Sequence, residues 1–194
     1  GERFRPAAAE GGHASWAPTR DDDLSLWRAL SARHGRVSIE RVVSGPGLEA
    51  IFDDVVASGV RHSRVAAERL EAAPDRAAAI SELALTGRDR AAARALDRFV
   101  RYLGAAAGDL ALAVGAIGGV YVAGGIAPKI LPRLESDLFL DAFRDKGRLA
   151  SLVSTIPVRV VLEPRCALIG AATYAALGGP DLPTAPARRR PVMR

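Results

Sequence analysis

Between Leu110 and Ala127 the chain carries no charged side chain, over a run of about 18 residues, the length at which a membrane-spanning helix becomes a candidate. Two features argue against a span. The glycine pairs Gly118-Gly119 and Gly124-Gly125 interrupt the run, and its composition changes from Ala and Leu to β-branched and aromatic residues at Val120, Tyr121 and Val122. The run therefore predicts a buried helix passing into a buried strand, and no membrane partner.

The flanking sequence supplies the rest of such a domain. Thr19 followed by Asp21, Asp22 and Asp23 reads as an N-cap with acid in the first turn, and Leu24, Trp27 and Leu30 then share one face of a surface helix ending at Gly35. After Gly45-Pro46-Gly47, the residues Leu48, Ile51, Phe52, Val55 and Val56 keep the spacing of an amphipathic helix closed by Gly59. Arg61 to Ala73 is polar and arginine-rich, and Pro74 opens another helix toward Gly87. Leu96, Phe99, Val100, Leu103, Ala107, Leu110 and Val114 form the apolar face of a long helix, whose small residues Gly104 to Gly108 allow close packing.

A strand Val120–Ala123 follows, and Pro128 sits at the first turn of the next helix. Pro132 and Gly147 break the following segment into short helices, Val158 to Leu162 reads as a second buried strand, and a last alanine-rich helix runs from about Cys166 to Leu177. Helix, strand, helix, strand, helix in this order predicts an α/β sheet wrapped by helices.

Composition narrows the function classes. With 49% hydrophobic and 25% charged residues the chain reads as a globular domain with a core. A lone cysteine, Cys166, makes no internal disulfide, and no Cys/His cluster offers a zinc site, which fits a cytoplasmic setting. Gly1 is not an initiator Met, and the polar start Gly1 to Arg5 is unlike a secretory signal, so the chain reads as part of a longer polypeptide. The +5 charge rests on arginine, Lys129 and Lys146 being the only lysines. Arg188, Arg189, Arg190 and Arg194 fall in a Pro-rich tail, 179–194, that is expected to be disordered, and without interleaved aromatic residues no nucleic-acid partner is expected.

Three stretches carry candidate chemistry. In Glu10-Gly11-Gly12-His13 two glycines allow a tight turn that presents a carboxylate and an imidazole, a pairing suited to a ligand with several hydroxyls. Glu40 lies in Ser38-Ile39-Glu40-Arg41-Val42-Val43-Ser44-Gly45-Pro46-Gly47, where it is equally well an exposed glutamate paired with Arg36 or Arg41. In Val120 to Pro128 the pair Gly124-Gly125 joins a strand to a helix start, which lets a phosphate or nucleotide approach the backbone.

In order and spacing, Glu10–His13, Ser38–Leu48, Gly118–Pro128, Phe143–Arg148 and Ile156–Val158 resemble the bacterial glucokinase family, and the likeness covers nearly all of residues 1–178. The resemblance implies a ribonuclease-H-like, actin-like ATPase fold, with this chain as an incomplete large lobe (1–178) of a two-lobed sugar kinase. It implies transfer of the γ-phosphoryl group of Mg-ATP to the 6-hydroxyl of D-glucose, with Glu10, His13 and Glu40 binding the sugar and Gly124 and Gly125 at the adenosine. A homodimer is the family's habit. In that family the catalytic base is an Asp after an Asn in the N-terminal half, and an Asp-x-Gly-Gly-Thr loop holds phosphate; neither motif occurs here, so no catalytic residue and no metal ligand is assigned to this chain. The alternative is a non-enzymatic sugar-binding fragment, or a sugar-responsive regulator of the related repressor/kinase family. The cysteine-rich zinc site usual in that family is missing.

Overall fold

A computed structural model describes residues 7–176, so the expected tail, 179–194, lies outside the described residues, as does Leu177. After a 3₁₀ turn at Gly11–His13 come the helices α1 (Asp23–His34), α2 (Ile39–Val42), α3 (Gly45–Ala57), α4 (Arg64–Glu71), α5 (Arg76–Leu85) and α6 (Arg90–Val114). Strand β1 (Val120–Val122) leads through a 3₁₀ turn (Ala127–Ile130) into α7 (Leu131–Leu134) and α8 (Asp137–Arg144). Another 3₁₀ turn (Gly147–Leu149), α9 (Ala150–Val153), β2 (Val158–Val160) and α10 (Cys166–Ala176) complete the described chain. β1 and β2 pair in parallel, with Val120 opposite Val158 and Val122 opposite Val160. The result is a helix-rich α/β arrangement with a small parallel sheet.

The long helix α6 organises the core. Asp89 caps it, accepting from the Ala92 N–H through Oδ1 and from the Ser63 N–H through Oδ2, so one carboxylate starts α6 and anchors the loop before α4. Leu96, Phe99 and Val100 are buried with Leu48, Ile51, Phe52 and Val55 of α3 and Ala79, Ile80 and Leu83 of α5. Its glycines meet α8. A Cβ on Gly104 would stand 2.3 Å from the Phe139 carbonyl oxygen, and one on Gly108 would stand 2.4 Å from that of Phe143. Lys146 completes this junction: its Nζ lies 2.8 Å from Asp109 Oδ1 and donates to the Ala105 carbonyl at 3.1 Å. The Phe143–Arg148 stretch thus clamps α8 to α6. Gly104→Ala is expected to lower stability by about 1–3 kcal/mol or more, read as a lower denaturant midpoint at unchanged slope, because backbone rather than a flexible side chain would have to move.

Charge is buried where α1 meets α6. The Tyr102 hydroxyl donates to Asp23 Oδ1 at 2.6 Å, Arg98 Nη1 donates to Asp54 Oδ2 at 2.6 Å, and Arg98 Nη2 donates to the Asp22 carbonyl at 2.7 Å. Burial, reinforced by the bond to Asp23, pushes the Tyr102 phenol far above its ordinary range.

Several expectations change. Thr19 is not the cap of α1; Asp23 is fully buried and its Oδ2 accepts from the Thr19 and Arg20 N–H groups. The inner face of α1 is Asp23, Leu26 and Leu30, leaving Leu24 and Trp27 outward. Pro132 does not break a helix but sits in the first turn of α7, where its missing N–H costs nothing. The sheet is buried only at Val122: Tyr121 is 63% exposed, and Val120, Val158 and Val160 are only half-buried. On α6, Leu110 and Val114 face outward, as does Ile117 beyond it, and α10 has no buried residue. The uncharged run is therefore helix then strand, but much of its apolar surface has no cover from the described residues. No helix among them is long and apolar enough to cross a membrane.

Candidate functional site

Residues far apart in sequence meet through a short backbone zipper. The Trp16 N–H donates to the Val37 carbonyl at 3.0 Å and the Ile39 N–H to the Ala14 carbonyl at 2.9 Å, forming an antiparallel bridge between Ser15 and Ser38. Trp16 and Val37 are both buried and hold the zipper on the core. Just beyond it, the Ser38 hydroxyl accepts from the Arg41 N–H and caps α2, which carries Glu40 in its first turn, while fully buried Val42 anchors the other side of that turn.

His13 consequently lies between two carboxylates. Its Nδ1 is 3.4 Å from Glu40 Oε2 and its Nε2 is 3.8 Å from Glu10 Oε2. All three side chains are exposed. Glu10, His13 and Glu40 are thus brought together, and His13 and Glu40 line a cavity of about 630 Å³. Gly11 and Gly12 do not use the left-handed backbone that glycine allows, so a strained turn is not their reason here. A Cβ on Gly12 would instead sit 3.8 Å from Glu40 Cβ, and one on Gly11 would be 4.0 Å from Leu110 Cδ1. The turn therefore rests against Glu40 on one side and the outward-facing end of α6 on the other.

Gly124 and Gly125 follow β1 in a separate turn. Gly124 has φ +108°, where other residues are strained, and a Cβ on either glycine would meet nothing within 4 Å. The turn is open above the end of β1. Immediately after it, Ile126, Lys129 and Ile130 line a second cavity, about 390 Å³, whose far wall includes Ser81, Glu82 and Thr86 of α5 and its end. Sequence reasoning missed these polar residues. Their only signal is that they lie off the apolar face of α5, which marks an exposed side and not a pocket.

Comparison with known proteins decides the family: the glucokinase family model matches residues 1–177. The chain belongs to the glucokinase family. It is 44% identical over 169 residues to a glucokinase of Caulobacter vibrioides, covering 86% of this chain and 48% of that protein. A Synechocystis glucokinase is 42% identical over 187 residues, covering 90% and 53% respectively. The crystal structure of a glucokinase from an Antarctic psychrotroph superposes with a TM-score of 0.70 at 38% identity, over 85% of this chain and 48% of that one. This glucokinase-family chain spans about half the length of the curated relatives it matches.

Proposed function

We propose that this chain is the sugar- and adenosine-reading half of an ATP-dependent glucokinase, which transfers the γ-phosphoryl group of ATP to the 6-hydroxyl of D-glucose. The observation that carries the proposal is His13 held within 3.4 Å of Glu40 and 3.8 Å of Glu10, from segments distant in sequence that the backbone zipper unites. Two carboxylates that accept and an imidazole that can do either match the alternating donors and acceptors of a pyranose edge. Gly124 and Gly125 would let the nucleotide approach the end of β1, with the base in the cavity beyond Ile126.

In this reading residues 1–178 form the large lobe of an actin-like fold, the tail 179–194 lies outside it, and the enzyme works in the cytoplasm. Among the described residues no group of three or more His, Cys, Asp or Glu side chains is placed to hold a metal ion, and Mg²⁺ commonly binds through nucleotide phosphates with one or two carboxylates and water. We assign the ion to the nucleotide's phosphates. What this chain's residues do is bind and orient; the base that takes the 6-hydroxyl proton comes from the remaining half of the enzyme.

Outward-facing Leu110, Val114, Ile117, Tyr121, Leu162 and Leu168 support that division. A two-stranded sheet is marginal alone, and this apolar surface is what further strands and helices of the enzyme would cover. Because Leu110 neighbours Gly11, such cover would also wall the sugar residues on their open side.

Backbone amide NMR on the chain tests the assignment. Glucose is expected to shift the amides of Gly11, Gly12, His13 and Glu40, and a non-hydrolysable ATP analogue those of Gly124, Gly125 and Ile126. Shifts confined to other surfaces would defeat it.

A further inference from the structure

The chain holds two lysines, and their surroundings are opposite. Lys146 is spent: its Nζ pairs with Asp109 Oδ1 at 2.8 Å, donates to the Ala105 carbonyl at 3.1 Å, and its side chain is 9% exposed. Lys129 is exposed and takes part in no ion pair among the described residues. Its backbone is nonetheless fixed, the N–H donating to the Ile126 carbonyl at 3.0 Å, so the ammonium stays at the cavity of about 390 Å³ that it lines with Ile126 and Ile130. The other charged residues on that cavity have partners already. Asp75 Oδ1 accepts from the Ala78 N–H at 2.9 Å, and Glu82 Oε2 accepts from Arg69 Nη2 at 3.0 Å. Lys129 is therefore the one charge on the cavity without a partner among the described residues.

An anionic phosphoryl group that enters the cavity meets an unpaired ammonium, and that ammonium is also the one lysine amine open to solvent. We propose that Lys129 is acylated by acyl phosphates, and that the modification weakens nucleotide binding. The phosphoryl end of such a donor is attracted to the same cation and the same open Gly124-Gly125 turn as a nucleotide's phosphates, which brings its acyl carbon to the amine. Loss of a proton to water frees the Nζ lone pair, which attacks the acyl carbon. The C–N bond forms, the acyl C–O bond breaks, inorganic phosphate leaves with the electron pair, and the remaining surplus proton on nitrogen passes to solvent. Nothing is oxidised or reduced. The amide carries no charge, so the cavity loses its one unpaired cation. The effect on binding rests on the assignment of this cavity to the nucleotide, whereas the acylation itself does not.

Incubating the chain with acetyl phosphate, followed by mass spectrometry, tests the site. Cleavage after glutamate leaves Lys129 and Lys146 on separate peptides, 83–135 and 136–163. Acetylation of Lys129 is expected to run about tenfold or more faster than that of Lys146, whose amine must first leave a carboxylate and a carbonyl. Equal rates, or a faster Lys146, would overturn the proposal. Isothermal titration of the untreated and the acetylated chain with a non-hydrolysable ATP analogue and with adenosine reads the consequence. Affinity for the analogue is expected to fall about two- to fivefold at low salt, the loss of one exposed charge contact, while that for adenosine stays where it was. In Lys129→Arg, which keeps the charge but offers no amine, the same treatment is expected to change neither affinity. A fall that persists in Lys129→Arg comes from another amine and overturns the proposal. So does an acetylated chain that binds the analogue as tightly as the untreated one. If the untreated chain binds neither adenosine nor the analogue, the nucleotide assignment fails, and the effect of acylation on binding fails with it.

Discussion

Given glucose and Mg-ATP, the chain alone is expected to form no glucose 6-phosphate, and turnover is expected to appear once the other half of a family member is supplied. Phosphoryl transfer needs little covalent help from a protein, but it needs a base for the attacking hydroxyl and donors around the transferred group. Around His13 the structure offers Glu10 and Glu40 as carboxylates, and both are taken up by His13 and the proposed sugar contacts. The other polar walls of that cavity, Arg33, His34, Arg36 and Arg41, are basic, and His34 is the one group among them able to accept a proton. Nothing there combines the position and chemistry required. Co-expression with the portion of the Caulobacter vibrioides glucokinase that this chain does not match should give a complex that turns over in the usual range, ~1–10³ s⁻¹, in a coupled glucose 6-phosphate assay. Binding of a hydrophobic dye to the chain should fall in the same complex, because Leu110, Val114, Ile117 and Tyr121 become covered. Turnover by the chain alone would show that the base lies within it. A complex that forms without turnover or loss of dye binding would show that the apolar surface is not the joint.

The same apolar surface explains where the sequence was legible and where it was not. Helix faces could be read where local chemistry sets them: the period of Leu48, Ile51, Phe52 and Val55 gives the buried face of α3, and Gly59 ends the segment with φ +92°, whereas α3 starts earlier than expected, at Gly45 under the Ser44 cap. The inner face of α1 was misread because a carboxylate, Asp23, sits in it. Hydrophobic periodicity gives such a residue to solvent, and only Tyr102 and Arg101, far along the chain, show why it is buried. The uncharged run 110–127 was read as buried because its composition is that of a core residue set; composition reports what a surface needs, and the cover need not lie in the same half of the protein. Strand burial failed for the same reason.

At the site, the Glu10–His13 turn and the Gly124-Gly125 turn were visible as patterns, but their surroundings were not. The zipper joining Ala14–Trp16 to Val37–Ile39 has no sequence signature beyond a few alternating residues. Arg33, His34, Arg36 and Arg41 read as a solvated, arginine-rich stretch, and only the turn of the chain after α1 places them on one cavity with His13.

Replacing His13 by Ala, or Glu40 by Gln, in the complemented enzyme is expected to raise the glucose KM by about ten- to a hundredfold, from the ~1–3 kcal/mol lost when a buried polar contact to a hydroxyl is removed and its partners are left unpaired. The ATP KM should change little, because the glycine turn after β1 is a separate element. The kcat should fall as well if the loosened sugar lets its 6-hydroxyl drift from the γ-phosphorus, since misplacement of about 1 Å is costly in a reaction that depends on positioning. The 3.4 Å approach of His13 Nδ1 to Glu40 Oε2 adds a sharper expectation. Each residue orients the other, so the double substitution should cost less than the sum of the single ones. A solvent-exposed ion pair without a ligand predicts something else: each substitution would lower stability by at most about 1 kcal/mol and would leave the glucose KM where it was. Folded variants with an unchanged glucose KM would therefore reduce the His13–Glu40 pair to surface decoration, while an increase in KM that is less than additive in the double variant places His13 and Glu40 on one sugar.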